Sequence, residues 1–243
     1  MIEASEGGDG IRLIRVGFLA LIAFSLVMIG TRVRLYPPVL TQPGGTLSVL
    51  AILGVLFAYA FLGGWVTSNP PPDHAAALRM ATAFGLVSGA LSVAHIVQEN
   101  YIRLPPREVA IVTWGFILAM FAPWAIASFL AARRTRRASL GLFAGVWSSA
   151  VCMVLTVSVG FGQLLTSLDR LQRRDVGSPD FLRSGWSDLR AFAIADVFEA
   201  GSWHLLIGPT VALCLGGVAV LAARLLSWRV LQVEERGRRT TGG

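Results

Sequence analysis

Two short stretches of the chain combine histidine with carboxylate residues. His95 and Glu99 are one helical turn apart and share a face, and Glu199 stands five residues before His204. Histidine nitrogens and carboxylate oxygens together suit a divalent ion such as Zn²⁺ or Mn²⁺. If the two stretches are neighbours in the fold, His95, Glu99, Glu199 and His204 could form a metal site.

The same residues allow two other interpretations. His95 and His204 could provide the two imidazole ligands of a haem, since both fall at a similar depth in their helices. The interpretation that we favour involves no cofactor: the residues form a hydrogen-bonded polar belt where helices meet a membrane surface. The zinc-binding motif His-Glu-x-x-His is absent from the sequence, which weakens the metal interpretation.

The composition is that of a membrane protein. Of the 243 residues, 54% are hydrophobic and 14% are charged, whereas a soluble domain carries about 25% charged residues. This excludes a disordered chain or a disulfide framework, and we find no nucleic-acid-binding module. All 21 basic residues are arginine, which is typical of a GC-rich genome and favours a bacterial source.

Six long apolar runs approach the roughly 20 residues that a helix needs to cross a bilayer. Backbone groups in lipid must be hydrogen-bonded internally, so these runs predict helices. The runs are 16–31, 47–67, 75–97, 109–132, 139–165 and 205–226. The first run is short enough to be a signal peptide, but no clean cleavage site follows it, so we expect it to be retained.

These runs predict one all-α transmembrane domain over residues 12–229, between a flexible N-terminal tail (1–11) and a charged, flexible C-terminal tail (230–243). Orientation follows from the link between the fourth and fifth runs, which contains four arginines and no acid (Arg133, Arg134, Arg136 and Arg137). Such a link is typical of the cytoplasmic side. We therefore expect a multi-pass protein of the bacterial cytoplasmic (inner) membrane with both termini in the cytoplasm.

The longest loop, between the fifth and sixth runs, predicts an amphipathic helix on the outer surface. Ser178, Pro179 and Asp180 have the order of an N-cap, a first helical proline and an acid in the first turn. A helix over 179–200 would place its apolar side chains on one face, with Trp186 at headgroup depth. Gly201 would then end this helix before the sixth run.

Small residues recur at intervals of about four in two of the runs, as Ala77, Ala81, Gly85 and Gly89 and as Gly141, Gly145 and Ser149. Such faces let helices approach closely. We interpret them mainly as packing within the bundle, while self-association or contact with other membrane subunits through them stays open.

The sequence therefore favours a non-enzymatic membrane subunit or a permease-like component whose main partner is the lipid bilayer. The alternative is a redox or metal-dependent membrane enzyme that uses His95, Glu99, Glu199 and His204 on the outer side. The six-residue segment Glu234-Glu235-x-x-x-Arg239 resembles the first motif of intramembrane CAAX-type proteases. No later helix supplies the histidines that such a protease needs, so we interpret the match as coincidence.

Overall fold

The computed structural model describes residues 3–102 and 104–241, with side chains for 8–99, 101–102, 104–105, 107–170, 172 and 176–228. In these residues the chain forms helices and no strands. The helices are α1 (Glu3–Leu35), α2 (Pro38–Thr41), α3 (Gly45–Val66), α4 (Pro72–Tyr101), α5 (Pro106–Thr135), α6 (Ala138–Thr166), α7 (Leu168–Asp175), α8 (Pro179–Ser184) and α9 (Leu189–Thr241).

Six of these helices are long and apolar enough to cross a membrane, namely α1, α3, α4, α5, α6 and the Leu189–Trp228 part of α9. Large apolar side chains such as Phe61, Ile111 and Leu221 are more than half exposed on the bundle surface. Burying them in lipid removes the cost of exposing them to water. The predicted all-α membrane bundle of six spanning helices is therefore confirmed, and its surface contacts the bilayer.

Contacts between helix ends define the two ends of the bundle. At the terminal end, which carries residues 67–71 and 136–137, Arg137 Nη1 lies 3.3 Å from Asp73 Oδ2. At the long-loop end, which carries residues 36–44 and 167–188, the hydroxyls of Tyr101 and Ser167 are 2.6 Å apart. These pairs show that α4 and α6 run in the same direction, so α5, which joins them in the chain, runs the opposite way.

The small-residue faces are occupied inside the bundle. A Cβ atom added at Gly85 would lie 2.6 Å from the carbonyl oxygen of Ser148 in α6. At Gly145 it would collide with the hydroxyl of Ser128 in α5. Glycine thus permits close approach around α6, the most buried of the spans. Because both faces pack internally, the structure does not support self-association through them.

The segment expected to form one helix over 179–200 is divided in the structure. The predicted N-cap is present, since the Phe181 N–H donates to Ser178 Oγ at 3.1 Å, but α8 ends at Ser184. Gly185 adopts the left-handed conformation with φ 73°, which glycine reaches without a steric cost. A new helix then begins after Asp188, whose Oδ1 accepts the N–H of Arg190 at 2.8 Å.

Gly201 does not end a helix, contrary to the prediction. Helix α9 passes through it without interruption, and a Cβ at Gly201 would lie 2.9 Å from the Phe161 ring. This glycine therefore serves close packing between α6 and α9. The backbone is also helical from Glu3 and as far as Thr241, within the segments expected as tails over 1–11 and 230–243. Residues 1, 2, 242 and 243 lie outside the described part of the chain.

Candidate functional site

A cavity of about 380 Å³ lies between α4, α5, α6 and α9, toward the long-loop end. Most of its wall is apolar or small. Its polar side chains come from three helices: Ser92, His95 and Glu99 from α4, Thr156 from α6 and His204 from α9. Because four helices enclose it, no single segment of sequence describes this site.

His95 and Glu99 meet at the wall of this cavity. His95 Nε2 lies 3.6 Å from Glu99 Oε1, which is too far for a hydrogen bond. The Nε2 atom is shielded from solvent and has no hydrogen-bond partner among the described residues. The imidazole ring packs against Phe116, with the ring centroids 5.3 Å apart. His95 therefore has one buried polar atom whose hydrogen-bonding capacity is not used by the described residues.

His204 reaches the same cavity from α9. Its Nδ1 atom lies 2.6 Å from the carbonyl oxygen of Ala200, one turn earlier in the helix. A carbonyl oxygen can only accept, so Nδ1 carries the proton when the ring is neutral. Nε2 is then left as an acceptor or a metal ligand.

Glu199 does not line the cavity. The indole Nε1 of Trp203 donates to Glu199 Oε1 at 3.4 Å, on another face of α9. Because α9 is continuous, five residues of separation place Glu199 and His204 about 140° apart around the helix axis. The sequence predicted a helix end at Gly201, between these two residues, and the helix has none there.

The described residues do not fit the predicted four-ligand metal centre. Among them, no three histidine, cysteine, aspartate or glutamate side chains lie close enough together to share an ion. His95, Glu99 and His204 share a cavity without forming a coordination group. The haem interpretation, which needs only His95 and His204, stays a prediction.

A second polar cluster, at the long-loop end, is absent from the sequence-based expectations. The Tyr36 hydroxyl donates to Asp188 Oδ2 at 2.6 Å, and the guanidinium of Arg190 lies over the Tyr36 ring, 5.1 Å from its centroid. Burial raises the pKa of Asp188, but hydrogen bonds from Tyr36 and from the backbone of Ala191 and Arg190 outweigh it, so its pKa is lowered. The hydrogen bond to Asp188 raises the pKa of Tyr36. This cluster secures the start of α9.

Comparison with known proteins does not place this chain in a family. It matches no protein-family model, no curated protein and no solved structure. Its function is therefore inferred from the cavity, the charges and the packing of its own residues.

Proposed function

We propose that this protein is a non-enzymatic, permease-like membrane component that binds a small molecule in the cavity between α4, α5, α6 and α9. The observation that carries the proposal is the cavity itself. Its volume of about 380 Å³ lies within the range of roughly 300–1,000 Å³ that is usual for small-molecule sites. Such sites combine apolar walls with a few polar groups, as this cavity does.

The polar groups suggest the chemistry of the ligand. Glu99 lines the cavity with a half-exposed side chain, and the shielded Nε2 of His95 has no hydrogen-bond partner among the described residues. Leaving a buried polar atom unpaired costs about 1–3 kcal/mol, which a ligand or water molecule would recover. A partly apolar molecule that carries a hydrogen-bond donor or a positive charge matches these groups.

A cavity-filling variant tests the proposal. No described atom outside its own helix lies within 4 Å of a Cβ at Gly160, which lines the cavity, so Gly160→Leu should fill the space without a backbone clash. Gly54→Leu is the matched control, because Gly54 is equally open but lies on α3 away from the cavity. Both proteins are purified gently in detergent, and mass spectrometry identifies the small molecules released on denaturation.

We expect the wild type and the control Gly54→Leu to release a small molecule in stoichiometric amount. Gly160→Leu should release much less of it. Uptake of the identified compound by proteoliposomes then tests transport. Two results would contradict a ligand site in this cavity. One is that Gly160→Leu retains as much of the compound as the wild type does, and the other is that the wild type contains no compound in excess over Gly160→Leu.

We also propose that the chain lies in the bacterial cytoplasmic membrane with both termini inside. The support is the acid-free arginine link between α5 and α6, which lies at the terminal end of the bundle. Alkaline phosphatase fused after Thr241 should be inactive in an expressing bacterium, whereas a fusion after Gly177 should be active. The reverse result would invert the orientation.

One observation favours the alternative of a haem-dependent redox enzyme. The hydrogen bond from His204 Nδ1 to Ala200 is the arrangement that orients a metal-bound histidine, and His95 lines the same cavity. A bound haem would supply the electron transfer, and the two imidazoles would hold it. A Soret band in the purified protein that is lost in His95→Ala would establish a haem site and overturn the interpretation without a cofactor.

A further inference from the structure

A second cavity, of about 690 Å³, lies at the terminal end of the bundle. Arg12 and Arg15 line it from α1 and Arg79 lines it from α4, while Thr67 and Asn69 belong to the connection between α3 and α4. Arg12 and Arg15 share a face because they are three residues apart on one helix. Three arginine side chains from two helices therefore line one cavity.

Neighbouring groups fix the position of two of these arginines. Arg15 Nε donates to Thr67 Oγ1 at 3.2 Å, and its Nη2 donates to the Thr67 carbonyl oxygen. The Cδ atom of Arg79 lies 3.5 Å from the position of a Cβ at Gly10, so its stem packs against the backbone of α1. The connecting loop turns at Asn69, whose φ of 49° is left-handed. A cavity held in this way loses little entropy when an anion binds.

The two nearest carboxylates with described side chains do not line the cavity. Asp73, which follows the proline-rich connection, forms an ion pair with Arg137 at 3.3 Å. Asp9, the acid of α1 with a described side chain, is not among the residues that line the cavity. Guanidinium groups present several donors in a planar fork that matches the oxygens of a phosphate.

We propose that Arg12, Arg15 and Arg79 bind the phosphate of an anionic lipid headgroup in this cavity. The position favours a lipid over a soluble phosphate, because these residues lie near the terminal end of two spanning segments, whose described parts begin at Gly8 and Pro72. Headgroup phosphates lie at this depth, and basic pockets between helices bind them. The site is at the opposite end of the bundle from the His95–His204 cavity and does not depend on the function proposed for it.

Native mass spectrometry of the full chain in detergent tests the proposal. The protein is incubated with phosphatidylglycerol or with phosphatidylcholine of the same acyl chains, and the bound lipid is counted. We expect retention of phosphatidylglycerol over phosphatidylcholine in the wild type. Arg12→Gln and Arg79→Gln should each weaken it about tenfold, the effect of losing one charge-assisted hydrogen bond.

Two controls carry the same change of charge. The control variants are Arg133→Gln and Arg34→Gln. Arg133 lies at the terminal end but outside the cavity, Arg34 lies at the long-loop end, and both side chains are exposed. Neither should alter phosphatidylglycerol binding. Equal weakening in all four variants would mean that net charge attracts the lipid, and it would overturn the site.

Inorganic phosphate, titrated calorimetrically, distinguishes the source of the anion. Phosphate binding that Arg12→Gln abolishes, without preference for phosphatidylglycerol, would keep the phosphate site and replace the lipid by a soluble anion. If Arg12→Gln or Arg79→Gln fails to fold, the lipid comparison and the phosphate titration of the wild type still test the proposal. Equal retention of the two lipids together with no phosphate binding would overturn the proposal.

Discussion

The hydroxyl of Tyr59 in α3 donates a hydrogen bond to the carbonyl oxygen of Leu205 in α9. In an uninterrupted helix that carbonyl would accept the N–H of residue 209, four positions later. Residue 209 is proline, which has no N–H. Tyr59 therefore supplies from a neighbouring helix the donor that α9 lacks, and it joins α3 to α9 at this point.

Tyr59→Phe should lower the free energy of unfolding by about 1–2 kcal/mol, because it leaves the Leu205 carbonyl unpaired inside the bundle. Equilibrium unfolding in mixed detergent micelles measures the loss. Tyr101→Phe is a matched control, since the Tyr101 hydroxyl bonds to Ser167 in an exposed position, and its cost should stay within about 0.5 kcal/mol.

A double-mutant cycle separates this contact from general packing. Pro209→Ala restores the N–H that Leu205 would otherwise accept, so Tyr59→Phe should cost less in that background. An equal cost of Tyr59→Phe with proline and with alanine at position 209 would show that the hydrogen bond does not compensate for Pro209.

Asp188→Ala should destabilise the protein by about 1 kcal/mol at neutral pH, because it removes both the N-cap of α9 and the acceptor of Tyr36. The lowered pKa of Asp188 sets the pH dependence. A carboxyl with a lowered pKa stabilises the fold fully above its unfolded pKa of about 3.9, and the contribution disappears as pH falls through the folded pKa.

The difference in unfolding free energy between the wild type and Asp188→Ala should therefore shrink as the pH falls below about 4. Unfolding titrations from neutral to acidic pH measure it. Tyr36→Phe keeps the N-cap of α9 and removes one hydrogen bond to Asp188. The unfolding free energy of this variant should therefore still exceed that of Asp188→Ala at neutral pH, and part of that excess should disappear in acid. A difference that is independent of pH would contradict a stabilising Asp188 carboxylate.

Gly85→Ala should destabilise the bundle by about 1–3 kcal/mol. The added Cβ would lie 2.6 Å from the Ser148 carbonyl oxygen and 2.8 Å from Val151 Cβ, so α4 would have to move away from α6. Gly54→Ala is the control, because its Cβ meets no described atom within 4 Å outside its own helix, and the better helix propensity of alanine should leave it neutral or stabilised. Thermal unfolding of both variants in detergent compares them, and equal losses would argue against the close α4–α6 approach.

Glu99→Gln and Glu199→Gln should affect the cavity ligand differently. Glu99 lines the cavity beside His95, so its neutral variant should retain less of the small molecule that co-purifies. Glu199 accepts from Trp203 on another face of α9, so Glu199→Gln should leave that amount unchanged. Quantitative mass spectrometry of the two purified variants makes the comparison. Loss of the ligand from Glu199→Gln alone would contradict the assignment of faces.

The six spanning helices could be predicted because their causes are local. Length and hydrophobicity decide whether a segment can cross a bilayer, and both are properties of consecutive residues. The pairing of His95 with Glu99 could be predicted for the same reason, since four residues of one helix fix their separation. The N-cap at Ser178 is equally local.

The division of the long loop could not be predicted in this way. Gly185 and Gly201 look alike in the sequence, yet one ends a helix and the other is buried in the middle of one. Phe161, 40 positions away from Gly201, decides its role by packing against it. Asp188 similarly has its partner Tyr36 in another helix.

The sequence by itself determined that this chain is a bundle of six apolar helices, because transfer from water to lipid depends on local composition. The tertiary structure decided which polar residues share a cavity. Continuity of α9 separates Glu199 from His204, and the approach of α1 to α4 brings Arg12 and Arg15 to Arg79. Those arrangements depend on packing between distant segments, and no pattern within one segment encodes them.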